Sequence, residues 1–152
     1  MFSGYRTADG GEILNRTFED DVIERYNGMV IVKEIPFYSH CEHHCAIFYG
    51  TFAIGYVPNG KVVGLSKLAR LVEIYARRLQ VQERLTKEIA ENIQAITQGL
   101  GVGVVIEAKH LCMMMRGVEK QNSVMTTSVM LGDFREDRST RMEFLSLVQE
   151  RK

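Results

Sequence analysis

The chain has no tryptophan, only two prolines and three cysteines, and no surplus of either charge, since 19 basic residues balance 19 acidic ones. Each shortage excludes something. No apolar run approaches the ~18 residues a membrane-spanning helix needs. No charged-then-apolar N-terminal stretch ends in a small-residue cleavage site, so the expectation is a cytoplasmic protein without membrane contact. The three cysteines, Cys41, Cys45 and Cys112, are an odd number in a chain without a secretory signal, which argues against a disulfide framework and for thiol chemistry. The two prolines, Pro36 and Pro58, lie at the edges of apolar runs. No linker, repeat or low-complexity tract divides the chain, and a single domain over residues 1–152 is expected.

What is present fits one ordinary globular domain: 152 residues, 45% apolar and 25% charged. The four histidines sharpen the cysteine count. His40, Cys41, His43, His44 and Cys45 fall together, and His110 and Cys112 make a second patch. Soft ligands collected in two places point to a metal or catalytic centre. The neutral total also conceals an uneven distribution: residues 1–60 carry a net −4, residues 61–87 a net +5 and residues 88–152 a net −1. One basic segment in a neutral chain is poorly suited to long-range attraction to nucleic acid, but it could hold a small polyanion locally or form a solvated helix face.

Residues 1–28 are polar and glycine-bearing, with a short helix possible near Phe18 to Tyr26. Met29 to Ile35 is rich in β-branched residues, and Thr51 to Val57 alternates so that Phe52, Ile54 and Tyr56 share a face. Both read as strands, with the dense Cys/His patch in their connection. Leu68, Val72, Tyr75 and Leu79 recur at helical spacing, with Ser66 as candidate N-cap. A second helix runs through Leu85, Ile89, Ile93 and Ile96 after a break around Gln80 to Gln82. Val102 to Ile106, continuing through His110 and Cys112, and Ser123 to Leu131 complete the order ββααββ. The expected class is α+β: an antiparallel four-stranded sheet with both helices on one face, whose open edges favour oligomerisation.

If residues 109–116 are extended, His110, Cys112, Met114 and Arg116 project from one face. Met113 to Met115 read as core filler. Cys41 and His44 have C-x-x-H spacing, with Cys112 as a third ligand. Two thiolates and one imidazole leave a fourth position to water, as in catalytic zinc, whereas His43 or His110 as fourth ligand would close a structural site. Gly64-Leu65-Ser66-Lys67, with Arg70 one turn on, resembles an anion-binding helix entry. Glu83, beside Gln82, could accept the paired N–H donors of a guanine edge, although an isolated helix glutamate is normally solvated.

Several long motifs in one order resemble the GTP cyclohydrolase type I family: FSGY at 2–5, CEHH at 41–44, PNGKVVGLSKLAR at 58–70, RRLQVQERLT at 77–86, HLCMMMRGV at 110–118 and MLGDFRED at 130–137. The resemblance implies the tunnelling fold, ββααββ subunits forming an oligomeric barrel, here a homo-oligomeric decamer of two pentamers with active sites between subunits. It implies one zinc per subunit held by Cys41, His44 and Cys112, and proton transfer by His43 and His110. Ser66 and His110 would lie near the ribose, Glu83 and Gln82 at the guanine edge, and Lys67, Arg70 and Arg116 at the triphosphate. The implied reaction converts GTP and water to 7,8-dihydroneopterin triphosphate and formate.

The resemblance has departures. The FSGY block lies at residues 2–5, and the expectation is a domain lacking the helices that usually precede this block in the family. The loop after CEHH reads Cys45-Ala46-Ile47-Phe48 where the family has a proline, and Cys45 is expected to be a buried, inert thiol. Ser123-Val124-Met125 stands where a basic residue commonly follows the serine. Two rival readings are a relative acting on another guanine nucleotide or with reduced activity, and a zinc-stabilised nucleic-acid-binding module. The second predicts aromatics among the basic residues, yet residues 61–87 hold only Tyr75.

Overall fold

The computed structural model describes residues 2, 5, 17–18, 28–114 and 122–150. Strands β1 (Thr17–Phe18), β2 (Val30–Cys41), β3 (Ile47–Val57) and β4 (Val62–Val63) lead into helix α1 (Leu65–Ala76). Strand β5 (Leu79–Gln80), helix α2 (Gln82–Thr97) and strand β6 (Gly101–His110) follow. A helical turn α3 (Leu111–Met114), strand β7 (Met125–Gly132), a second turn α4 (Asp133–Glu136) and helix α5 (Arg138–Gln149) complete the chain. The main sheet has the order β5-β2-β3-β6-β7, and β1 pairs with β4 separately. The four long strands are antiparallel as expected, but β5 adds a fifth, parallel to the end of β2 through His40↔Leu79 and Cys41↔Gln80.

Helices α1 and α2 bury one stripe each: Leu68, Leu71, Val72 and Tyr75 from α1, and Leu85, Ile89, Ala90 and Ile93 from α2. Spacings of three and four put these on one side of a helix. They pack on Phe52, Ile54 and Tyr56 of β3 and Val102, Val104 and Ile106 of β6, which alternate onto the same face. Ser66 is not the cap: Gly64 occupies that position and Ser66 lies inside the first turn.

The other face is not bare. Ala53 and Val105 pack against Phe134 of α4 and Phe144 of α5, so the helices are not all on one side. The two phenyl rings meet edge-on at 5.2 Å. They sit over Gly55 and Gly103, which pair across β3 and β6. A Cβ at either glycine would come within 2.8 Å of Phe144 ring atoms, so glycine in these strands marks a close approach. Of the short helix expected near Phe18 to Tyr26, Phe18 lies in β1 and residues 19–26 are outside the described residues.

Candidate active site

The antiparallel ladder between β3 and β6 ends at Phe48↔His110. There β6 ends, and the chain turns into α3. Residues 109–116 are therefore not one extended face: Cys112 and Met114 sit on a helical turn, while Met115 and Arg116 lie outside the described residues. Met113, expected in the core, is exposed. On the neighbouring strand end the loop after β2 is pinned by Cys41 N–H donating to Ala46 C=O (2.9 Å) and Cys45 N–H donating to Cys41 C=O (2.8 Å). Glu42 N–H donates to Gln80 C=O (2.9 Å), and the Glu42 carboxylate pairs with Arg84 of α2.

A cavity of about 460 Å³ opens where these strand and helix ends meet. Cys41, His43 and His44 reach it from the loop, Val81, Gln82 and Glu83 from the start of α2, His110, Cys112 and Met113 from the β6–α3 junction, and Ser123, Val124 and Met125 from the entry to β7. Both soft-ligand patches of the sequence thus border one space. Ser66, Lys67 and Arg70 do not line it, and remain at the first turns of α1. His40 also stays outside it, its ring edge-on to Phe2 at 5.2 Å.

His110 is held from two sides. Its ring stacks on Phe48 with centroids 4.6 Å apart and planes 1° from parallel. Its Nε2 lies 2.7 Å from Gln82 Oε1. Burial pushes the imidazole below its ordinary pKa, and the Glu83 carboxylate opposes part of that shift. Gln82 is buried, and its side-chain nitrogen donates toward Met125 C=O (3.0 Å), Thr127 Oγ1 (3.1 Å) and Ile106 C=O (3.3 Å). Its amide is therefore consumed within the protein, whereas Glu83 beside it is exposed at the cavity. Phe48 and Thr127 escaped sequence reasoning, because their proximity to His110 and Gln82 depends on strand register and on packing of α2 against the sheet.

The donor set has zinc chemistry: two thiols and an imidazole, Cys41 and His44 at C-x-x-H spacing with Cys112 across the cavity. All three cysteines are free thiols. Among the described residues no three His, Cys, Asp or Glu side chains stand close enough to hold an ion together, so ligation requires them to converge. Cys45, expected to be buried, is exposed and has a left-handed φ of 53°. The turn that hydrogen-bonds its N–H to Cys41 directs it outward. Among the described residues no helix is long and apolar enough to cross a membrane.

The fold and the cavity define an α+β domain that presents thiols, imidazoles and a carboxylate at one end of its sheet. The model of the GTP cyclohydrolase I family matches residues 1–149. GTP cyclohydrolase 1 of Methylococcus capsulatus is 61% identical over 146 residues, 96% of this chain and 77% of that protein. The protein named GTP cyclohydrolase 1 2 of Pseudomonas syringae is 56% identical over 153 residues, 95% of this chain and 84% of its own length. The chain belongs to the GTP cyclohydrolase I family. Among solved structures, an archaeosine synthase QueF-Like protein in its apo form superposes with a TM-score of 0.58 at 16% identity, covering 70% of this chain and 95% of that one. That likeness concerns the mixed α+β fold alone.

Proposed function

We propose that this chain converts GTP and water to 7,8-dihydroneopterin triphosphate and formate, the first step of pterin and folate biosynthesis. The observation that carries the reading is the gathering of Cys41, His43, His44, Glu83, His110 and Cys112 around one cavity from separate elements, in a chain of this family. Cys41, His44 and Cys112 would hold one zinc ion per chain, whose Lewis acidity lowers the pKa of water at the site to about 7 in favourable cases.

The protein's own groups carry the rest. His43 delivers a proton to N7 of the purine, which makes C8 electrophilic toward water; a positioned general acid is worth about 10² to 10⁴ in rate. Glu83 accepts the N1–H and N2–H donors of the guanine edge. His110 moves protons during the rearrangement of the opened sugar, with Ser66 beside the ribose. Lys67, Arg70 and Arg116 hold the triphosphate, using the positive end of α1 as well as their charges.

Ser66, Lys67 and Arg70 do not reach the cavity of their own chain. A second copy that presents its α1 entry to this cavity supplies them, so the complete site belongs to a homo-oligomer, a decamer of two pentamers in this reading. Incubating the zinc-loaded protein with GTP and measuring formate and the pterin chromophore tests the proposal. One formate per GTP consumed is expected, with loss of turnover on chelation. Absence of formate in fully zinc-loaded, assembled protein contradicts it.

A further inference from the structure

We propose that Gln82 is a positioning residue that sets the tautomer and ring orientation of His110, not a contact to the guanine edge. The inference deepens the reading above and rests on His110 acting at the substrate.

The polarity of the Gln82 amide follows from chemistry. Two of the groups facing its nitrogen are the backbone carbonyls of Met125 and Ile106, which can only accept. Turning the amide over would set its oxygen against both. The nitrogen is thus the NH₂ group, and Oε1 faces His110. An amide oxygen cannot donate, so the proton of that 2.7 Å bond belongs to His110 Nε2. In the neutral ring Nδ1 is then the unprotonated nitrogen.

A second chain of bonds locks the arrangement. Thr86 Oγ1 donates to Gln82 C=O at 2.7 Å, so in its 2.8 Å contact with Thr127 it accepts. Thr127 donates there and accepts from the Gln82 amide. Apart from the His110 bond, which ends on Gln82 Oε1, the network runs out to the backbone carbonyls of Ile106, Met125 and Gln82. Helix α2 and strands β6 and β7 all hold the amide, while the Phe48 ring fixes the plane of the imidazole. Hydrogen-bond partners of a functional histidine commonly set its tautomer in this way.

Solid-state ¹⁵N spectra of histidine-labelled, zinc-loaded protein, with His110 assigned by subtracting His110→Asn, read the tautomer without turnover. A pyrrole-type Nε2 and a pyridine-type Nδ1 are expected. A ring protonated at Nδ1, or metal-bound, overturns the proposal. In Gln82→Met the preference should weaken or disappear. Its kcat should fall by part of the about 10²- to 10⁴-fold that a positioned general acid or base contributes, while KM for GTP stays within about twofold, because no ground-state contact is lost. A raised KM with an unchanged tautomer overturns the proposal in favour of guanine binding. If Gln82→Met does not fold, the spectrum of the unsubstituted protein still decides. If the tautomer shifts as expected but neither protein releases formate from GTP, positioning stands and the assigned reaction fails.

Discussion

On the side of the sheet covered by α1 and α2, the core includes Gln80, Gln82, Thr86 and Thr97, all buried and hydrogen-bonded. Among the described residues, the buried cluster on the opposite side is Ala53, Val105, Phe134 and Phe144, all without a polar side chain. The contrast separates two tasks. Gln82, buried on the α1/α2 side, is met by carbonyls, a hydroxyl and an imidazole from several elements, so it holds a direction as well as a position. The phenyl pair over Gly55 and Gly103 excludes water and carries no directional chemistry. The cavity lies at the end of the polar side, where the β3–β6 ladder stops.

The largest break in this comparison is expected at the donors. Cys41→Ala or Cys112→Ala should remove zinc and reduce turnover to background, measured as metal content and formate release. His43→Ala should keep the zinc and lower the rate about 10²- to 10⁴-fold. On the apolar face, Phe144→Ala should cost about 3–5 kcal/mol of folding stability in denaturant titrations, and the remaining folded protein should bind zinc normally. Thr127→Val tests the polar side in the same assay: it strands part of the Gln82 network and should cost about 1–3 kcal/mol.

The smallest effect concerns Asp137, the N-cap of α5, whose carboxylate accepts from Ser139 N–H and Thr140 Oγ1 at 2.9 Å. The Thr140 hydroxyl and the Ser139 amide hold its pKa below the ordinary value of 3.8. With the folded-state pKa depressed, the stabilisation is present above the unfolded value and is lost as pH falls through the lower folded one. Asp137→Asn should flatten that part of the acid limb in a plot of melting temperature against pH.

Much of this architecture was legible in the chain. The alternation of Phe52, Ile54 and Tyr56 identified an inward face of β3, and helical spacing located α1 and α2. Helix α5 was not, since Phe144 is its one fully buried residue; the Asp137 cap and the glycines of β3 and β6 were the available signals. The extended reading of 109–116 failed because strand pairing, invisible locally, ends at His110. Both Cys/His patches do border one cavity as their clustering implied. The network that holds Gln82 was not legible, because its partners Ile106, Met125 and Thr127 are distant in sequence and meet it only through the sheet.

The central claim is that Cys41, His44 and Cys112 converge on one zinc at this cavity while His43 and His110 stay free. Anomalous diffraction at the zinc edge from crystals of the zinc-loaded protein tests it most directly. The account predicts one peak per chain at the cavity, about 2.3 Å from both sulfurs and about 2.0–2.1 Å from a His44 nitrogen. A peak elsewhere, or one with His43 or His110 in the coordination shell, would contradict it.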